Sequence, residues 1–552
     1  MPFQDPGMVH LREREMTVTK QTFIKGALIL LVAGIVNRIL AFVPRIALPR
    51  IIGAEGVGLY QLGYPFLIVL LTLITGGIPL AVAKWIAEAE STGDSKRVKQ
   101  VFRAAMTLTI GLSVGLTVLF IILTPWISTT LMTDHRVYQT LRMMSPLLII
   151  IGISSVYRGY FQGKANMIPT ALSQIIETVI RIICALMFAK LLLPYGLEWG
   201  AAGAMLGVVA GEIGGFIILL WQYANDRKRV KLAIVREEDG NAQQPDDTST
   251  PANKLRPTKL EPVMRKLINL SVPVTASRMI GSFSYLLESI FTARALFAAG
   301  IATSAATAQY GALQGMIIPI LLLPTALTYS LAVSLVPTLS EAAAKGDKST
   351  IHKRLSQSMR LSLVTGAPFI VVMILFAEPI CRVLYNHVEI APMLKLIAPV
   401  GLFIYMQAPL QAALQALDKP ATALMNTFIG AVVKLVLIME LASQPKLGIY
   451  GALIAININI VLVTVLHWIS VVRATGFSMH LLDFLKVGSA MCIMGAASLW
   501  VMNLQVLPAL WQNLITACFA GSVIYMILMV MLRIIDRSDA ARIPFLGRWF
   551  RS

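Results

Sequence analysis

Nine ionisable side chains lie inside long apolar stretches of this 552-residue chain. A charged group at the centre of a bilayer costs at least about 2.5–3.5 kcal/mol, so such residues usually face a helix-bundle interior or a water-filled cavity. The nine are Arg38, Lys84, Glu177, Arg181, Glu212, Arg278, Glu288, Lys434 and Glu440. Such side chains can form ion pairs or bind charged ligands. Which of these they do depends on how the membrane helices position them.

Arg38 and Arg278 are the strongest candidates for ligand binding, because neither has an acidic residue within one helical turn. Two unbalanced guanidinium groups that face one cavity need an anionic partner, and a diphosphate suits paired guanidinium forks. Arg45, Asn37 and Ser277 complete the predicted substrate-binding set. The alternative is that the arginines pack against carbonyl groups or extend to the membrane surface.

A second group of residues is predicted to line a polar cavity or to form charge pairs. Glu177 and Arg181 are four residues apart on one helix face, which favours a local ion pair. Gln314, Gln411 and Lys434 lie in other apolar segments. These three either face a cavity or form hydrogen bonds between helices.

Glycine and proline residues interrupt two of the apolar segments. Gly76, Gly77 and Pro79 lie in the second segment, and Pro319 and Pro324 lie in the eighth. Each group predicts a weakened or bent helix. We interpret them as hinges for rocking or gating, and a static kink is the alternative.

The composition predicts an all-α, polytopic membrane protein. Hydrophobic residues make up 57% of the chain and charged residues only 14%, against about 25% charged in globular proteins. Apolar runs of about 20 residues predict about fourteen spanning helices. Most Lys and Arg fall on the side that both termini share, which predicts cytoplasmic termini. The net charge of +19 then reflects topology and contact with anionic membrane lipid rather than nucleic-acid binding.

The chain is internally duplicated. A shift of about 253 residues places Glu88 on Glu341 and the segment Leu141–Pro146 on Leu394–Pro399. A slightly shorter shift places Arg38 on Arg278. Each unit contains six helices, so the repeat is parallel. The predicted regions are an N-terminal lobe (1–224), a hydrophilic cytoplasmic linker (225–263), a C-terminal lobe (264–472), and two additional helices with a basic tail (473–552).

Several classes of chemistry find no support in the sequence. It contains no phosphate-binding GxxxxGK[ST] loop and no HExxH. Its one GxSxG match, Gly111-Leu112-Ser113-Val114-Gly115, lies inside an apolar run and not on the strand-to-helix turn of a nucleophile elbow, so no nucleotide motor or hydrolase is indicated. The four cysteines have no spacing typical of a metal site. We therefore expect no enzymatic activity, no cofactor and no metal.

Two motifs carry a resemblance to a known family. The first contains Asn37-Arg38-Ile39-Leu40, Arg50-Ile51-Ile52-Gly53 and Glu55-Gly56-Val57-Gly58-Leu59-Tyr60. The second contains Arg158-Gly159-Tyr160-Phe161-Gln162-Gly163-Lys164 and continues to Arg181. Together they resemble the stage V sporulation protein B family, which is similar to the MurJ-like lipid II flippases of the multidrug/oligosaccharidyl-lipid/polysaccharide exporter superfamily.

The resemblance implies a fold and a function. It implies a V-shaped, two-lobed bundle with a central cationic cavity and a terminal helix pair that holds a polyprenyl tail. It also implies alternating-access translocation of lipid II across the bacterial cytoplasmic membrane for spore cortex synthesis. Arg38 matches a cavity arginine of the flippases, whereas Pro44 takes the position next to Arg45 where a second is expected. The flippase arginines of the second and eighth helices are absent here.

The substrate implied is an anionic glycan linked to undecaprenyl diphosphate, and cell-wall synthesis proteins are further candidate partners. Two alternative transport functions stay open, namely a flippase for another polyprenyl-diphosphate oligosaccharide and a drug/cation antiporter. A membrane glycosyltransferase and a scaffold for cell-wall assembly are alternatives from other classes.

Overall fold

A computed structural model describes residues 29–240 except Leu31, and residues 260–479, 481–532 and Ile534. The centre of the predicted linker and the predicted basic tail lie outside these residues. The described chain is helical and contains no strand, which confirms the predicted all-α fold. It divides into two compact units, Met1–Ser289 and Ile290–Ser552.

Unit 1 contains nine described helices, the last of which continues into unit 2. They are α1 (32–40), α2 (Phe42–Thr75), α3 (Ile78–Ser91), α4 (Ser95–Trp126), α5 (Val137–Met144), α6 (Leu147–Gly163), α7 (Ile168–Leu192), α8 (Leu197–Gly240) and α9 (Leu260–Ala298). A short π-helix, Ile127–Leu131, follows α4. Helix therefore occupies both ends of the predicted linker.

Unit 2 contains eleven further helices in the described part of the chain. They are α10 (Thr303–Gly311), α11 (Ile318–Leu321), α12 (Thr325–Ala344), α13 (Lys348–Leu375), α14 (Ala377–Tyr385), α15 (Ala391–Ile397), α16 (Gly401–Ala416), α17 (Pro420–Ala442), α18 (Ile449–Thr475), α19 (Leu481–Asn503) and α20 (Leu510–Met531). The π-helix Ala312–Ile317 joins α10 to α11.

Ten described segments are long and apolar enough to span a membrane. One of them, Val32–Ser91, covers two of the predicted spans. Three predicted spans, 168–193, 264–291 and 308–335, are not among the ten. Helices α7 and α9 carry charged residues within their length, and the region from α10 to α12 is broken into short pieces.

The duplication is visible in the geometry of equivalent turns. Gly93 and Gly346 both have a φ of 67°, a left-handed conformation that glycine adopts without strain. Each is followed by an aspartate that caps the next helix, with Asp94 accepting from the Arg97 N–H at 2.9 Å and Asp347 from the Thr350 N–H at 3.0 Å. The repeated sequence therefore folds into the same local structure in both units.

Close packing of α7 on α8 organises unit 1. Four glycines, spaced four residues apart, form one stripe along α8: Gly203, Gly207, Gly211 and Gly215. Small residues at this spacing let two membrane helices approach closely. A Cβ on Gly211 would lie 2.6 Å from the Arg181 Cβ and 2.7 Å from the Glu177 carbonyl oxygen. The stripe thus places the charged residues of α7 directly against α8.

Unit 2 is held by buried apolar packing and by polar side chains that bond to helix backbones. The buried hydroxyls of Tyr385 and Tyr405 donate to the carbonyl oxygens of Met316 (3.0 Å) and Leu321 (2.8 Å). These carbonyls lie in the broken region between α10 and α12, where regular helical bonding is interrupted. The two tyrosines therefore stabilise the interruption.

The predicted helix interruptions are present. Gly76 and Gly77 separate α2 from α3, with Pro79 in the first turn of α3. Pro319 lies in the first turn of α11, and Pro324 precedes α12. Their role in gating stays a prediction.

Candidate functional site

Arg38 and Arg45 lie on one face of the first membrane helix. They are seven residues apart, about two helical turns, and both side chains are exposed. The helix continues between them, because the Ala41 N–H donates to the Asn37 carbonyl oxygen at 2.9 Å. The Asn37 side-chain oxygen is buried and accepts no hydrogen bond from the described residues. The Arg45 guanidinium lies 5.7 Å from the centre of the Phe42 ring.

The N-terminal part of α9 packs against the junction of α2 and α3. The hydroxyls of Thr72 and Ser282 form a hydrogen bond of 2.7 Å. Gly77 approaches the backbone of Ser271 so closely that a Cβ would collide with it. This contact holds the segment of α9 that carries Arg278 and Ser277 within unit 1, and both of these side chains are exposed.

Three tyrosines, Tyr60 and Tyr64 on α2 and Tyr285 on α9, interact with one another, and Tyr60 and Tyr285 also interact with Arg45. Tyr60 and Tyr64 stack with their ring centres 5.9 Å apart. Tyr285 is within electrostatic range of both tyrosines, of Arg45 and of Glu288. Since Tyr285 follows Arg278 by seven residues, both lie on one face of α9. We call Arg38, Arg45 and Arg278 the cationic face.

A partly buried ion network lies at the contact of α6, α7 and α8. The Arg158 guanidinium contacts Glu177 at 2.9 Å and Glu212 at 3.1 Å. Arg181 contacts Glu177 at 3.0 Å, which is the predicted local pair. Glu212 is only 4% exposed. We call these four residues the Arg158 network, and its ionised groups balance to zero net charge.

The Arg158 network and the cationic face are electrostatically connected. Tyr60 is within range of Arg181 on one side and of Arg45 on the other. Because the four network charges cancel, the network contributes little excess charge of its own. The arginines of the cationic face lie outside this network of ion pairs.

Sequence reasoning missed the central residue of this network. It predicted the pair of Glu177 and Arg181, and it assigned no partner to Glu212. Arg158 was noticed only within a family motif. The sequence does show charged residues in three successive apolar segments, which correspond to α6, α7 and α8. To predict that these charges pair, one must also recognise that the glycine stripe of α8 is the surface on which α7 packs.

The remaining predicted residues lie in unit 2 and are not brought into one cluster. Gln314 is half-buried in the π-helix after α10, Gln411 is exposed on α16, and Lys434 is buried in α17. Gln407 bonds to the Ile460 carbonyl oxygen at 3.0 Å, which is the interhelical role that sequence analysis left open for such residues. Among the described residues, no group of three or more candidate ligands could hold a metal.

A charge cluster outside the predicted spans joins the loop before α5 to α2. Arg136 contacts Asp134 at 2.8 Å and Glu55 at 2.7 Å. The hydrogen bond to Asp134, with further help from Glu55, raises the pKa of Arg136 above its already high value. Arg136 therefore stays charged and ties the loop before α5 to α2.

Comparison with known proteins agrees with this architecture. Residues 23–341 match a family model described as polysaccharide biosynthesis protein, and residues 282–439 match one described as MatE. The lipid II flippase MurJ, solved in an inward closed conformation, superposes with a TM-score of 0.66 at 15% identity, covering 92% of this chain and 99% of that one. The fold and the relatives define a multi-pass helical transporter of the exporter superfamily rather than an enzyme.

Two curated relatives from Bacillus subtilis (strain 168) narrow the family. Stage V sporulation protein B is 39% identical over 96% of this chain and 99% of its own length. Lipid II flippase MurJ is 26% identical, covering 83% of this chain and 84% of its own. The chain belongs to the stage V sporulation protein B family.

Proposed function

We propose that this protein translocates lipid II across the cytoplasmic membrane for spore cortex synthesis. One observation carries the proposal, namely that exposed arginines lie inside two membrane helices of unit 1, with Arg38 and Arg45 on the first and Arg278 on α9. The names of the relatives, a sporulation protein and a lipid II flippase, support a lipid-linked cell-wall precursor as the substrate.

The charge of the face suits a diphosphate. Exposed arginines inside membrane segments are tolerated where they meet water or an anion. Guanidinium groups bind phosphate oxygens through paired, charge-assisted hydrogen bonds. Tyr60, Tyr64 and Tyr285 add hydroxyl groups near Arg45 that can bind polar parts of a head group. A cationic drug would be repelled by the same charges.

The transport cycle follows from the duplicated fold. We infer alternating access, in which Arg38, Arg45 and Arg278 bind the diphosphate on the cytoplasmic side and release it on the other. The lipid tail stays in the bilayer throughout, so its apolar surface is never exposed to water. An inside-negative potential favours outward movement of the anion by about 2.3 kcal/mol per charge per 100 mV.

Reconstitution of the full chain tests the substrate. Proteoliposomes would receive head-group-labelled lipid II, an undecaprenyl-diphosphate oligosaccharide, labelled phosphatidylcholine or ethidium, with protein-free liposomes as the control. We expect the protein to flip lipid II faster than the protein-free control does. We expect no effect of the protein on phosphatidylcholine or ethidium. Transport of the oligosaccharide but not of lipid II would favour the alternative flippase. Ethidium transport alone would favour the antiporter and contradict the proposal.

A further inference from the structure

A second cationic cluster lies near the end of the second predicted span (59–86), where the middle of α3 packs against the first turns of α9. The ammonium groups of Lys84 and Lys266 each lie 5.2 Å from the centre of the Trp85 ring. The two like charges are therefore separated by no more than twice that distance. Attraction to the face of the indole ring stabilises each ammonium group at this position.

Nearby acids are engaged elsewhere. On α3, Glu88 pairs with Arg97 at 2.7 Å and Glu90 lies 3.7 Å from Lys164. In the part of the chain that the structure describes, neither Lys84 nor Lys266 has a carboxylate within ion-pair distance. Both lysine side chains are exposed, so their charge is available to a ligand.

The indole ring of Trp85 is fixed by packing, but its N–H group has no hydrogen-bond acceptor among the described residues. Trp85 packs against a buried apolar cluster that includes Ile86, Val263 and Leu267. Its ring nitrogen is buried and donates to no described acceptor. The packing fixes the ring on which both ammonium groups rest. The pair of charges is thus preorganised by α3 and α9 rather than free on a flexible surface.

We propose that Lys84, Trp85 and Lys266 form a binding site for a phosphate group at the membrane surface. Lysine ammonium groups bind phosphate as point charges, and two of them can contact one phosphate from both sides. Tryptophan and lysine both favour the membrane–water interface, where the aromatic ring lies at the level of the lipid head groups. The head group of an anionic phospholipid and free phosphate share this chemistry.

The site is separate from the proposed transport function. It uses none of the residues of the cationic face, and its ligand need not be translocated. A failure of lipid II transport would therefore leave it intact, and a failure of phosphate binding would not affect the transport proposal.

Fluorescence titration of the full chain in detergent micelles tests the site. The chain has 8 tryptophans, so the signal of Trp85 is taken as the difference between wild type and Trp85→Phe. The probes are dihexanoyl phosphatidylglycerol, inorganic phosphate, and dihexanoyl phosphatidylcholine as the neutral head group. We expect a saturable response to phosphatidylglycerol, with an apparent Kd that rises at least about tenfold in Lys84→Gln/Lys266→Gln.

Matched variants make the result specific. Lys96→Gln/Lys99→Gln removes two exposed charges from the same end of unit 1 and should leave the Kd unchanged, and Lys84→Arg/Lys266→Arg should retain binding. Saturation by phosphatidylglycerol alone supports a lipid ligand, whereas saturation by phosphate alone supports a free anion. No saturable response, or equal weakening in both glutamine variants, would overturn the site.

Discussion

Arg158 binds two carboxylates that belong to two different helices. Removing both charges from water costs several kcal/mol per ion, and the attraction offsets this only when geometry and hydrogen bonding are good. The three contacts of the Arg158 network lie between 2.9 and 3.1 Å, and the buried Nε of Arg158 has no acceptor among the described residues. Removal of one partner is then more damaging than replacement of the whole group.

We predict that Arg158→Met destabilises the protein by about 3–5 kcal/mol, because it leaves Glu212 buried without its cation. Thermal unfolding of purified protein in detergent measures the effect. Arg181→Met is the matched control. Arg181 is 33% exposed and Glu177 keeps Arg158 as a partner, so a loss of about 1 kcal/mol or less is expected. Equal losses in the two variants would contradict the central role of Arg158.

The Glu177–Arg181 pair could be predicted from the sequence, because it depends only on helical spacing. The contacts of Arg158 could not, because they join three helices whose relative rotation is fixed by packing. The same limit applies to the Tyr60, Tyr64 and Tyr285 cluster. Its members lie on α2 and α9, which are far apart in the sequence.

Two packing contacts between helices position the site. The glycine stripe of α8 brings α7 close enough for the Arg158 network to form. The contact of Gly77 with Ser271 fixes α9 against the junction of α2 and α3. In both cases a glycine is required because a backbone or a Cβ of the neighbouring helix occupies the space of its missing side chain.

We predict that Gly211→Ala destabilises the protein by about 1–3 kcal/mol, because the added methyl group would overpack the contact with Arg181 and Glu177. Gly111→Ala on α4 is the matched control, since a Cβ there meets no atom within 4 Å. The control should be neutral or stabilising by up to about 1 kcal/mol. Unfolding curves in the same detergent compare them, and an unaltered Gly211→Ala protein would refute tight α7–α8 packing.

Helix type could be predicted along most of the chain, whereas the number of uninterrupted spans could not. Long apolar runs identify membrane helices on their own. Where charge or proline enters a run, as in α9 or between α10 and α12, the outcome depends on neighbours that satisfy the freed backbone groups. The bonds from Tyr385 and Tyr405 to backbone carbonyls are such a case.

At the scale of the whole molecule, the duplication relates Arg38 to Arg278, but the compact units do not separate them. The boundary between the units falls within α9, after Ser289, so both arginines belong to unit 1. Sequence comparison detected the repeat, and the paired turns at Gly93 and Gly346 support it. The first part of α9 packs within unit 1 because it contacts Gly76 and Gly77. This contact cannot be predicted from the sequence repeat.

The most direct test of the cationic face is lipid II flipping by arginine variants of the full chain in proteoliposomes. We predict that Arg45→Ala and Arg278→Ala each slow flipping at least about tenfold, because each removes charge-assisted contacts to the diphosphate. Arg103→Ala, which removes an exposed arginine of α4, should stay within about twofold of wild type. Undiminished flipping in both Arg45→Ala and Arg278→Ala would contradict the account.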